Sequence, residues 1–129
     1  MSTDVPTRRR TIGFGVIGAG RIGNLHARHI AGVIDGARLT SVFDADPAAA
    51  QRALYGEATA AASVEELLAH PEVDAVLIAS PTALHAGQIR QAAQAGKAIF
   101  GENPVALDLG ETIEAMKLVE DAGVPLQLG

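Results

Sequence analysis

The chain has 129 residues, 48% of them hydrophobic and 19% charged, which fits one globular domain with a real core and excludes a disordered chain. Its formal net charge is −5, its isoelectric point about 5.2 and its aromatic content 3%, which argues against a nucleic-acid partner, an anionic-membrane surface and a base-stacking platform. It holds no cysteine, so disulfides, thiolate nucleophiles and zinc–thiolate sites are excluded. No uncharged apolar run approaches the roughly 20 residues of a membrane helix, and residues 1–10 lack the apolar segment of a secretory signal, so the expected compartment is the cytoplasm.

Residues 1–10 read as a flexible N-terminal arm and 11–129 as one domain. Strand one spans about Ile12 to Ile17 and runs into Gly18-Ala-Gly-Arg-Ile-Gly23. Helix one follows from Arg21 to about Ala31, its apolar face expected to hold Ile22, Leu25, His26, His29 and Ile30. Arg38 to Phe43 is β-rich and stops at Asp44. Asp46-Pro47 then has the form of an N-cap with proline at the first helical position, opening a helix through Ala48 to Leu54. A weak strand at Ala58 to Ala60 precedes Ser63-Val-Glu-Glu66, which has capping-box spacing.

Val73 to Ala79 is almost continuously apolar and β-branched, as suits a parallel strand buried on both faces. Ser80-Pro81-Thr82 starts the next helix, which carries Leu84, Ile89 and Ala92. Ala98 to Phe100 is strand five, followed by Gly101-Glu-Asn-Pro104. Asp108 opens a helix to about Ala122, and Val124 to Leu128 is a last strand. Strands alternating with helices imply right-handed crossovers, hence an α/β fold with a doubly wound parallel sheet, the Rossmann arrangement, in a single domain.

In the strand order 3-2-1-4-5-6, ligands bind beyond the carboxyl ends of the strands where the order reverses. That crevice receives the Gly18–Gly23 turn, Asp44, Ser80-Pro81 and Glu102-Asn103-Pro104. Gly18 permits a turn that a side chain would obstruct, Gly20 lets a pyrophosphate approach the backbone, and Gly23 allows close helix packing. Asp44 lies 21 positions after Gly23, where a carboxylate accepts hydrogen bonds from a ribose diol and repels a 2′-phosphate. NAD is therefore favoured over NADP; the alternative is that Asp44 only caps the following turn.

Five segments, Gly15 to Gly23, Asp44 to Pro47, Ser63 to Leu67, Val73 to Thr82 with His85, and Gly96 to Pro104, resemble in order and spacing the N-terminal domain of the Gfo/Idh/MocA oxidoreductases, most of all the inositol 2-dehydrogenases. The resemblance implies an NAD(H)- or NADP(H)-binding domain of enzymes that oxidise a ring hydroxyl of a cyclitol or sugar. It assigns cofactor contacts to Gly18, Ala19, Gly20, Arg21, Ile22, Gly23 and Asp44. Ala79, Ser80, Pro81 and His85 would border the nicotinamide side, with Glu102 and Asn103 where nicotinamide meets substrate.

The family pattern after strand five is Glu-Lys-Pro, whose lysine helps hold the substrate hydroxyl and assists proton transfer. Here Asn103 stands in its place, and an amide neither carries charge nor relays a proton. Lys97 begins strand five, at the end remote from the crevice. The chain also stops at Gly129, ahead of the family's C-terminal α/β domain with its substrate pocket. The leading expectation is thus a cofactor-binding domain with little or no dehydrogenase activity alone and no assigned catalytic residue. The alternatives are a minimal oxidoreductase acting through self-association and an interaction module with a vestigial pocket. A homo-oligomer is expected, because apolar surface near the crevice and last strand would be left uncovered. His26 and His29 are read as packing residues rather than a metal pair.

Overall fold

The computed structural model describes residues 11–102 and 104–129; the arm at residues 1–10 and Asn103 lie outside the described residues. Along the chain run β1 (Ile12–Ile17), α1 (Arg21–Gly32), β2 (Ala37–Phe43), α2 (Pro47–Arg52), β3 (Thr59–Ala60), α3 (Val64–Ala69), β4 (Ala75–Ile78), α4 (Thr82–Gln94), β5 (Ala98–Gly101), α5 (Leu109–Ala122) and β6 (Leu126–Leu128). The six strands form one parallel sheet in the order β3-β2-β1-β4-β5-β6, the doubly wound topology expected from the alternation of elements. The expected ends shift by one to two residues at most strands. β4 and β6 are the shortest relative to expectation, because the ladder extends only where β5 pairs with them, over Ala98–Gly101 and Ile99–Gly101.

Successive side chains of β1 enter different halves of the core. Val16 packs with Leu39, Val42, Ala27, Ile30, Ala49 and Ala50, under α1 and α2. Ile17 packs with Leu67, Val76, Ile78, Ile89, Ile99 and Ala115, under α3, α4 and α5. Each fully buried Ile or Leu in these clusters contributes about 1.5–3 kcal/mol by removal from water. Local chemistry sets the helix starts. Asp46 caps α2 by accepting from Ala48 N at 3.1 Å, Ser63 caps α3 by accepting from Glu66 N at 3.0 Å, and Asp108 caps α5 by accepting from Glu111 N at 3.0 Å. Glu66 returns a bond to Ala62 N at 2.5 Å, one residue upstream of the capping-box position.

The face of α1 differs from expectation. Gly23, Ala27 and Ile30 are buried, while Ile22 is 49% exposed and Leu25 also reaches solvent. The cause is close approach: a Cβ on Gly23 would lie 1.8 Å from Gly18 O, so the helix presents its smallest side chains to the chain beneath it. Hydrophobicity alone points to the larger residues and sets the wrong rotation. The described helices on the α1 side pack over β1 to β3. Over β4 to β6 that side of the sheet presents Phe100, 39% exposed, against Phe14, the rings tilted with centroids 5.7 Å apart. Among the described residues, no helix is long and apolar enough to cross a membrane.

Candidate functional site

β1 delivers the glycine turn between its two neighbours. Gly18 N donates to Phe43 O at the end of β2, and Ala79 N, just past β4, donates to Ile17 O, both at 2.8 Å. Gly18 has φ +98°, and a Cβ there would lie 2.5 Å from Ser80 N and 2.6 Å from the Ala79 carbonyl carbon. The turn therefore needs glycine twice over, for its backbone angle and for its space. Gly20 is the opposite case. Its φ of −71° suits any residue, and a Cβ would meet no protein atom within 4 Å. Nothing inside the protein requires glycine there, so the free volume lies on the crevice side. Gly20 is also the N-cap of α1 and offers no side-chain cap, which leaves the first-turn N–H groups for an anion.

Asp44 caps the turn that follows it, the alternative role expected from sequence, and also bonds the glycine turn. Its Oδ2 accepts from Ala19 N at 2.7 Å and its Oδ1 from Asp46 N at 2.8 Å, while Asp46 itself caps α2. The carboxylate thus braces the glycine turn across 25 residues of sequence. Each oxygen retains a second acceptor site, enough for a vicinal diol.

These pieces line one crevice of about 540 Å³, within the range of small-molecule sites. Of the residues expected from sequence, Gly18, Gly20, Arg21, Ile22, Asp44, Ala79, Ser80 and Pro81 lie in its wall. Ala19 and Gly23 are buried behind the wall, holding its shape. Ile17, Phe43, Ala45, Leu84 and Gln88 also line it and are not among the residues expected from sequence. Helical spacing from Pro81 through Leu84 to Gln88 was the available signal for two of them. A second hollow of about 460 Å³ lies beyond Asp44, sharing Phe43, Asp44 and Ala45 and walled by small residues such as Ala50, Ala60 and Ala61.

The remaining expected residues are placed differently. His85 is 3% exposed and does not line the crevice; its Nε2 faces Ser80 O at 2.6 Å and its Nδ1 faces Pro104 O at 3.0 Å. Ser80 Oγ donates to Gln88 Oε1, an amide oxygen that does not serve as a general base. Glu102 lines a separate small hollow with His26, its Oε2 3.6 Å from His26 Nε2. Asn103 is outside the described residues. Lys97 donates from Nζ to Val73 O at 2.7 Å, at the far end of the sheet, in agreement with its position in sequence.

An open Gly20, an uncapped helix start, and an acid at the end of β2 fit a pyrophosphate-linked dinucleotide, and comparison with known proteins points the same way. Residues 12–129 match the model of an oxidoreductase family, described as GFO_IDH_MocA with an NAD-binding Rossmann fold. An inositol 2-dehydrogenase of Rhizobium meliloti (strain 1021) is 41% identical over 119 residues, covering 92% of this chain and 36% of the relative. A scyllo-inositol 2-dehydrogenase (NAD(+)) of Bacillus subtilis (strain 168) is 36% identical over 116 residues, covering 88% and 34%. The crystal structure of scyllo-inositol dehydrogenase from Lactobacillus casei with bound cofactor NAD(H) and scyllo-inositol superposes with a TM-score of 0.87 at 32% identity, covering 93% and 36%. The chain spans about a third of the length of the curated relatives it matches.

Proposed function

The chain belongs to the Gfo/Idh/MocA oxidoreductase family, in its NAD-binding Rossmann portion, and we propose that the crevice at the ends of β1, β2 and β4 holds NAD(H) through the residues that line it. The observation that carries this reading is the pairing of an unfilled Gly20 with a braced Asp44 on one rim. The α1 N-terminus takes the pyrophosphate, and Arg21, the one cation among the described lining residues, offsets its charge. Asp44 accepts the adenosine ribose hydroxyls and disfavours a 2′-phosphate, which selects NAD(H) over NADP(H). Ala79, Ser80 and Pro81 border the nicotinamide. The bound dinucleotide supplies a two-electron hydride acceptor or donor.

The reaction we propose for the whole protein is oxidation of a ring hydroxyl of a cyclitol or sugar, by analogy with the relatives named above. The described lining residues include no proton acceptor at the nicotinamide end, since Arg21 and Asp44 are the ionisable groups and Asp44 sits at the ribose end. Asn103 stands where the family's lysine would assist. This chain therefore binds and orients the cofactor, and by itself turns over slowly or not at all.

Isothermal titration with NADH tests the binding. A saturable heat at micromolar to millimolar cofactor is expected, whereas folded protein that gives no heat at millimolar NADH refutes the reading. A parallel panel of inositols and hexoses with NAD, followed by NADH absorbance, tests the second part; steady turnover would overturn it. Exposed Phe100, beside the half-buried Phe14, supports a further proposal, that two copies cover this half of the sheet face.

A further inference from the structure

Past the pair Ile78–Gly101, the ladder between β4 and β5 ends, and the two chains leave the sheet separately. One passes through Ser80, which lines the crevice; the other passes through Pro104 to Val105, which is buried in the core beside α4. His85, in the first turn of α4, stands between them. Its Nε2 lies 2.6 Å from Ser80 O and its Nδ1 3.0 Å from Pro104 O. Both partners are carbonyls, which only accept, so a bond to each takes an N–H on each ring nitrogen; a ring with a single N–H bonds only one of them, and the bridge is made by the ring that carries both. With 3% of its surface exposed, the ring has no face for a ligand or a substrate proton.

We propose that His85 is a positioning residue, a pin that fixes the exit of β5 at Pro104 relative to the exit of β4 at Ser80, and through Ser80 relative to the crevice. The pin itself rests on geometry alone. Its importance for cofactor binding rests on the reading of the crevice as an NAD(H) site. The consequence is that the strand-five exit keeps its distance from the nicotinamide end whether or not a cofactor is present.

Two variants separate this from mere filling of a buried site. His85→Asn retains a donor near the Nδ1 position, facing Pro104, and His85→Gln retains one near Nε2, facing Ser80. Each can serve only one of the two carbonyls, and both are smaller than the ring, so a role limited to packing affects them alike. Amide hydrogen exchange across residues 105–109 of the full chain is the readout. One retained hydrogen bond corresponds to about a three- to tenfold difference in opening, so H85Q is expected to exchange at least threefold faster there than H85N. Equal rates, or faster exchange in H85N, overturn the pin. The second arm repeats the measurement with NADH. Protection of 105–109 by NADH in the wild type, reduced at least threefold in both variants because each has lost one of the two contacts, supports the positional role; protection equal to the wild type in either variant overturns it. Wild-type chain that binds no NADH by titration refutes the cofactor reading instead, and the pin is then decided by the first arm alone.

Discussion

Gly20 and Gly23 stand three residues apart in the same motif, and alanine at the two positions is expected to do opposite things. At Gly20 a Cβ meets no protein atom within 4 Å, and φ is −71°. Gly20→Ala narrows the unfolded ensemble, worth about 0.4–1 kcal/mol in favour of the fold, and gives up the better N-cap residue, worth up to about 1 kcal/mol against it. Stability therefore stays within about 1 kcal/mol of the parent. The new methyl group occupies the side from which a phosphate approaches. Loss of one charge-assisted hydrogen bond, about 1.5–3 kcal/mol, weakens NADH binding about 10- to 150-fold.

At Gly23 a Cβ falls 1.8 Å from Gly18 O, so backbone has to move. Overpacking of that kind costs about 1–3 kcal/mol, a fall in melting temperature of about 5–15 °C for a domain of this size. Thermal melts by circular dichroism and NADH titration by calorimetry, on both variants, read the two effects independently. A Gly20→Ala protein that binds NADH as tightly as the parent would show that the open volume is not where phosphate sits. A Gly20→Ala protein that melts more than about 6 °C low would show that the position has a structural role of its own.

Asp44 supports both the turn and the proposed ribose contact, so its substitutions should divide. Asp44→Asn keeps an acceptor for Ala19 N, turns a donor toward Asp46 N and loses the charge, and is expected to unfold about 1 kcal/mol more easily and to bind NADH about tenfold more weakly. Asp44→Ala loses both backbone bonds as well and is expected to unfold about 1–3 kcal/mol more easily. The parent should prefer NADH to NADPH in competition, and an equal affinity would refute the proposed role of the carboxylate. Asp108→Ala removes the cap of α5 and should cost about 1 kcal/mol in denaturant unfolding, with cofactor affinity unchanged. Phe100→Glu places a charge on the uncovered half of the sheet face, and sedimentation should show less self-association than the parent; a parent that is monomeric at high concentration rejects the two-copy proposal.

The features legible in sequence are those fixed by short-range chemistry. The caps Asp46, Ser63 and Asp108 lie within three residues of the groups they bond, and the strand order follows from the alternation of elements. The rotation of α1 was not legible, because a backbone clash beneath Gly23 outweighs the preference for burying Ile22 and Leu25. The bond from Ala19 N to Asp44 joins residues 25 apart and exists only after β1 and β2 pair. The family resemblance puts His85 on the nicotinamide side of the cofactor. Resemblance does not reveal that Pro104 O, arriving from beyond β5, meets its second nitrogen. The carbonyls, glycine volumes and backbone donors of such a site belong to the fold and carry no residue identity of their own.

The strand order has a consequence for how the molecule is made. β1 lies in the middle of the sheet, yet one of its neighbours is β4, with Phe14 opposite Ala75 and Ile17 opposite Ile78. During synthesis the glycine turn leaves the ribosome early, with Asp44 following soon after to brace it. The wall against which Gly18 turns, Ala79 and Ser80, does not yet exist. A nascent chain that has reached the end of β3 thus carries the complete sequence motif without the crevice. The motif becomes a site only when a segment some sixty residues downstream is threaded alongside it.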